Sequence, residues 1–283
     1  MQHSNALLGE AGRCIHIGDR ENDIFEFFSD AVRLGTHFLV RTCVDRLAGD
    51  GGHTIAKEMN AMPVQAIHEI KVRDQKGNMV TASVELKYKR IHVLPPIGKQ
   101  KCYSPLDLTV IHACERHTPE DRDRIDWKLI TDLSVTSPKQ AIKNLQWYAM
   151  RWKIEVFHKI LKSGCQAEHA KLRTAERLVN LLAIYCVLGW RIFWMTMLNR
   201  SNPDAAPALA LTRTEIRLLD HFVPDQGKPS HRKSISPYLI KIARLGGYLA
   251  RASDPPPGNI VMWRGLSRLT DIKLGALAWL KCE

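Results

Sequence analysis

Two stretches of the chain, VQAIHEIKVRD (64–74) and MVTASVELKYKRIHV (79–93), alternate apolar and polar residues in the period of a half-buried strand. The QKGN between them predicts the turn of a hairpin. LDLTVIHACERH (106–117) and DWKLITDL (126–133) predict further strands, and the turn-prone LPPIGKQK lies within this β-rich block. Ahead of the block, CIHIGD (14–19) reads as a buried strand. NDIFEFFSDAVRLG (22–35) follows as a helix ending at Gly35, and THFLVRTC (36–43) as a second strand. Such a β-α-β unit belongs in a sheet, yet the few residues before it hold no neighbouring strand.

From Ser137 the pattern turns helical. Ser137-Pro138 is a favourable cap and first-turn pair, opening a helix expected to run to about Lys162 and end at Ser163-Gly164. An apolar helix is expected over about 174–199, then a loop at NPDAAPA, and a short helix at TRTEIRLLDHFV. QGKPSHRKS reads as a basic linker. SPYLIKIARLGGYLARA (236–252) predicts a helix with Gly246-Gly247 near its middle, and DPPPGN precedes a last helix from about Met262.

Composition narrows the partners. Across 283 residues Lys and Arg exceed Asp and Glu by 41 − 29 = 12, with a pI near 9.5, which favours a polyanionic partner, either nucleic acid or an anionic membrane surface. The basic residues are spread out, as on a folded surface. The 7 cysteines include no CxxC pair, which argues against a disulfide framework or a Cys-type zinc site and fits a reducing cytoplasm. No signal peptide is expected from MQHSNALLGEAGR. LVNLLAIYCVLGWRIFWMTML (178–198) loses its uncharged run at Arg191, short of the ~18 residues of a spanning helix. It is expected to be a buried core helix, with no membrane partner.

Candidate chemistry then gathers in YAMRWKIEVFHKILK. Tyr148, Arg151, Glu155 and Lys162 stand at offsets that, at roughly 100° per residue, fall within an arc of about 60° on one helix. A carboxylate flanked by cations suits a place where a metal ion and a phosphodiester meet. A solvated charged face would show the same pattern. Asp19 stands at the C-terminal end of a strand, just before a helix, where open α/β sheets collect ligands. It could equally cap that helix, as could Asn22 or Asp23.

Together GDRENDIFEF, THFLVR, DWKLIT, the Tyr148/Arg151/Glu155/Lys162 array and IKIARLGGYL resemble the bacterial cut-and-paste DDE transposases of the insertion-sequence-four group, over nearly the whole chain from about residue 14. The resemblance implies an α/β fold. A partial ribonuclease-H-like sheet would cover 1–47 and a β-rich insertion 48–135. Helices of the catalytic domain would cover 136–200, and an all-α dimerisation region 201–283.

It also implies roles. Asp19 and Glu155 would be the second and third acids of a metal triad binding two Mg²⁺ or Mn²⁺ ions. Arg151 and Lys162 would contact the phosphate backbone near the scissile bond, with Tyr148 beside them, and Lys159 and Arg41 would add DNA contacts. Trp127 would stack a base flipped from the transposon end, with Trp152 beside that pocket. Double-stranded transposon-end DNA is the implied partner, in a homodimer or a dimer with full-length transposase, in a bacterial cytoplasm and nucleoid. The family's first Asp lies upstream of everything in this sequence, so the chain is expected to be N-terminally truncated and inactive alone. A non-catalytic DNA-binding and dimerising module that inhibits full-length enzyme is the alternative.

Overall fold

In a computed structural model the chain is mixed α/β, an N-terminal mixed sheet followed by a largely helical half. The described residues are all but 74, 76–78, 121, 226–232 and 280–283, with the side chains of Ala11, Arg73 and Trp279 also left aside. All of the QKGN turn but Gln75, and most of the basic linker, therefore lie outside the described residues. Two compact units are formed, Met1–Arg151 and Trp152–Glu283.

In the first unit, strands β1 (Ile15–Gly18), β2 (His37–Arg41), β3 (Leu47–Ala48), β4 (His53–Thr54), β5 (Ala66–Arg73), β6 (Met79–Val93), β7 (Leu106–Glu115) and β8 (Asp126–Thr131) form one sheet. Its order is β1-β2-β8-β7-β6-β3-β4, with β5 also on β6. After a short first helix α1 (Gln2–Leu8), β1 and β2 are parallel, joined through helix α2 (Phe25–Arg33), and the other pairs are antiparallel. The opening β-α-β unit and the β-rich block thus share a sheet, fastened by Leu39 opposite Thr131 and Arg41 opposite Leu129.

Alternation decides what each face buries. Phe38, Val40, Val110 and Ile130 turn to one side, under Phe25 and Phe28 of α2 and Ile55 and Met59 of helix α3 (Ile55–Ala61). Leu39, Leu86, Ile111 and Leu129 turn to the other, under Ala141, Leu145 and Tyr148 of helix α4 (Pro138–Ala149). Leu39 is wholly buried, which is worth about 1.5–3 kcal/mol for a side chain of that size.

Helix α2 begins later than its sequence pattern suggests, because Asp23 is drawn away from capping. Its Oδ2 accepts from the Thr42 hydroxyl and the Cys43 and Val44 N–H groups, at 2.7–2.8 Å. Arg46 Nη2 stands 2.6 Å from Oδ1, an ion pair by distance. Asp19 does the capping instead, of the 3₁₀ turn Arg20–Asn22. Gly35, at φ 65, ends the segment as expected.

The helix expected from Ser137 to Lys162 is not continuous. Ser137 caps α4 through the Gln140 N–H at 3.4 Å, but α4 stops at Ala149. There the Arg151 N–H tightens onto the Tyr148 carbonyl at 2.9 Å. Helix α5 (Trp152–Lys159) follows, then a π turn over Ile160–Gly164 closed by the Cys165 N–H on the Ile160 carbonyl at 3.2 Å. A tightened turn and a widened one both shift angular phase, so the 60° arc counted along one ideal helix does not hold.

In the second unit, helices α6 (Ala175–Ser201), α7 (Arg213–Phe222), α8 (Ile235–Leu245) and α9 (Asn259–Trp279) pack around Ile160, Ile192, Leu219, Ile242, Met262 and Leu266. Helix α7 opens with a capping box between Thr212 and Glu215. Helices α8 and α9 approach almost backbone to backbone. A Cβ on Gly246 would fall 1.9 Å from the Val261 carbonyl oxygen, and one on Gly265 1.8 Å from that of Ile242. Gly247, at φ +96, turns the chain left-handed and ends α8 well short of residue 252.

Helix α6 departs from the expectation of a buried core helix. It is long and apolar enough to cross a membrane by length and composition, yet only 22% of its most apolar window is buried. Gly189, Ile192, Phe193 and Met195 face the core, while Val179, Ile184, Val187 and Trp190 are exposed. Its apolar residues run all round the helix, and the core takes one stripe of its C-terminal half.

Candidate nucleic-acid and metal site

Asp19 leaves the C-terminal end of β1 as the chain turns into the 3₁₀ segment, so its carboxylate projects from the sheet end. Three donors converge on it. The Arg20 N–H donates to Oδ1 at 2.9 Å, the Tyr148 hydroxyl donates to the same oxygen at 3.2 Å, and Arg151 Nη2 lies 3.2 Å from Oδ2. Tyr148 comes from the last turn of α4 and Arg151 from just beyond it, 129 residues or more along the chain. The side chain of Asp19 remains 37% exposed, open to a further ligand.

Desolvation pushes the Asp19 carboxyl upward, but the Arg20 N–H, the Arg151 guanidinium, the Tyr148 hydroxyl and Arg41 outweigh it. The net shift is below the ordinary value, and the group is held ionised. The Tyr148 phenol moves up, first through burial and then through the Asp19 charge beside it. Trp127 packs edge-on against the Tyr148 ring, centroids 5.5 Å apart and planes at 71°. It is half-buried on the α4 face of the sheet. Arg41 donates to the Asp126 carbonyl at 3.1 Å. Asp19, Tyr148, Arg151, Trp127 and Arg41 thus all lie in the first unit, with Asp19, Tyr148 and Arg151 in direct contact and Trp127 packed on Tyr148.

Trp152, Glu155, Lys159 and Lys162 belong to the second unit, on α5 and the π turn after it, and all four are exposed. Lys162 Nζ pairs with Glu168 Oε1 at 3.0 Å. Both partners are largely solvated, so the pair constrains little.

Asp19 suits a hard divalent ion by its chemistry, an ionised oxygen donor with part of its surface open. The residues that sequence pattern did not single out are the Arg20 backbone N–H, which fixes the Asp19 rotamer, and a cluster on β7 and β8. There His112, Cys114 and Asp126 bring their ligand atoms within 4.8 Å of one another. Each sits in an ordinary strand pattern, and no linear spacing marked them. No protein-family model matches this sequence.

Proposed function

We propose that this chain is a DDE-type DNA transposase, binding transposon-end DNA for metal-dependent strand cleavage and strand transfer. The observation that supports this most is the gathering of Tyr148 and Arg151 onto the Asp19 carboxylate at the end of a sheet strand. A carboxylate shared by a cation and a phenol, with Trp127 against that phenol, joins a metal ligand to phosphate-holding and base-stacking groups. The resemblance places these same residues together in that role.

In this reading Asp19 and Glu155 hold Mg²⁺ or Mn²⁺. The ions would activate the attacking water or 3′-hydroxyl and stabilise the leaving oxygen. Arg151, Arg41, Lys159 and Lys162 hold the backbone, and Trp127 takes an extruded base, worth about 1–3 kcal/mol, with Trp152 beside it. By the resemblance a third carboxylate completes the metal site. Cutting is therefore expected of an enzyme holding all three acids, and gripping of DNA from these residues alone. Two copies of the chain, or one with a full-length subunit, would hold two DNA ends.

Fluorescence anisotropy on a labelled duplex, repeated across salt concentrations, tests the reading. Arg151→Ala is expected to lower the magnitude of the log–log salt slope by about one. Trp127→Ala should weaken binding to a duplex carrying a flipped or unpaired terminal base more than to an intact one. Equal affinity and slope in wild type and Arg151→Ala would overturn the proposal. DNA binding lost on Arg151→Ala, without metal-dependent nicking when the third acid is supplied, would favour the non-catalytic module.

A further inference from the structure

The sheet face opposite Trp127 carries a second group with metal chemistry. β7 and β8 pair so that His112 stands opposite Lys128 and Cys114 opposite Asp126. His112 and Cys114 are two residues apart on β7 and so turn to the same side. The His112 Nε2 lies 2.7 Å from Asp126 Oδ1, and the Cys114 sulfur falls within the same 4.8 Å sphere of ligand atoms. A tetrahedral Zn²⁺ site, with bonds of about 2.0–2.3 Å, spaces its ligand atoms about 3.3–3.7 Å apart. Side-chain shifts of about an ångström therefore separate this cluster from that geometry.

We propose that His112, Cys114 and Asp126 bind one Zn²⁺, with its fourth position open to the adjacent cleft. The donor set selects the metal. A thiolate excludes Mg²⁺ and Ca²⁺, while imidazole with thiolate and carboxylate is a borderline-soft set that suits zinc. Charge is also balanced, since the thiolate and the carboxylate together neutralise the dication. On binding, the Cys114 thiol gives its proton to solvent and the His112 nitrogen exchanges its contact with Asp126 for the metal.

The surroundings fit three protein ligands with one position left over. His112 and Asp126 both line a cleft of about 200 Å³ between the β7–β8 face, the loop after β2 and α3, with Arg20, Arg41, Asp45 and Lys128 also on its walls. Within the sheet, Lys87 and Lys128 flank His112, and Glu85 flanks Cys114. Those cations oppose a bare dication but not a neutral zinc–thiolate–carboxylate unit, and they favour an anion or hydroxide as the fourth ligand. β8 then carries a metal ligand at Asp126 on one face and Trp127, its neighbour, on the other. A bound ion would stiffen the strand that presents that indole.

The test uses the full chain, stripped with chelator and titrated with Co²⁺ as a spectroscopic stand-in for Zn²⁺. One equivalent is expected to give a thiolate-to-cobalt charge-transfer band and the strong visible absorption of four-coordinate cobalt, both displaced by Zn²⁺. Cys114→Ser should abolish the charge-transfer band, and His112→Ala or Asp126→Asn should weaken binding at least tenfold. Cys43→Ser, a change at a thiol that lines the cleft, should leave the band intact. No such band in the wild-type protein, or a band that survives Cys114→Ser, overturns the proposal.

If a variant does not fold by circular dichroism, alkylation of the wild-type protein decides. Zn²⁺, but not Mg²⁺, should slow labelling of Cys114, and equal labelling overturns the site. The oxygen-only acids Asp19 and Glu155 give no thiolate band, so failure here is distinct from failure of the transposase reading.

Discussion

Asp19 in the sheet unit and Asp220 in the helical unit are surrounded by the same kinds of donor, yet they do different things. Asp19 receives the Tyr148 hydroxyl and faces Arg151, both at 3.2 Å. Asp220 receives the Tyr238 hydroxyl at 2.9 and 3.0 Å and the ammonium groups of Lys233 and Lys241 at 2.7 Å. The difference lies in the neighbours. Both tyrosines are buried, but Lys241 is almost fully buried where Arg151 is not, and Asp220 reaches from α7 to join Tyr238 and Lys241 on α8, so this cluster fastens two helices. The Asp19 cluster has longer contacts and a partly solvated cation. A carboxylate with a phenol and a cation is therefore not in itself a site. Contact length and burial of the paired cation separate a poised group from a fastener.

The sharpest way to break this comparison is to remove each carboxylate. Asp220→Ala leaves the buried Lys241 with Asp225, 3.1 Å away, as its remaining carboxylate among the described residues, and should cost about 2–3 kcal/mol in urea unfolding. Asp19→Ala should cost less, about 1 kcal/mol, because its contacts are longer and the cation it leaves behind, Arg151, keeps part of its surface in solvent. Equal losses would erase the distinction.

Acid titration sharpens it further. Desolvation raises the Asp220 carboxyl, but Lys233, Lys241 and Tyr238 bring it down to about 2 from 3.8. A depressed folded value means that its stabilisation is complete above pH 3.8 and disappears as pH falls through about 2. The loss should be on the order of 1–2 kcal/mol, read from urea midpoints against pH, and Asp220→Asn should flatten that limb. The smallest effect is expected at Asp19. Tyr148→Phe removes one of several groups that lower its titration, which should move upward by carboxyl NMR while the fold is unchanged.

Much of the sheet was legible because β2, β6, β7 and β8 are long enough to show their period. The pairs β3 and β4, two residues each, and the seven-residue α3 carry too little pattern to be read. Asp19 could be singled out because it follows an apolar strand, and Tyr148 and Arg151 because their spacing is distinctive. The break after Ala149 left no mark, since no glycine or proline stands between 149 and 152. Asp23 was read as a cap because local sequence is silent about Thr42 and Arg46, which turn it into a buried anchor. His112, Cys114 and Asp126 escaped for a related reason. They meet across two strands, and the distance that joins them is not one along the chain.

The contact between Asp19 and Tyr148 also has a kinetic side. It bridges 129 residues, and closing so long a loop adds little to the equilibrium cost but much to the time needed. The β7–β8 hairpin can form from local contacts, whereas β2 must find β8, and β1 must find β2, before Asp19 and the end of α4 can meet. The candidate site is therefore expected to be among the last features of its unit to assemble. While the chain folds, β1 remains an unpaired apolar segment, and the rate of sheet closure, more than final stability, would set how long it is open to aggregation.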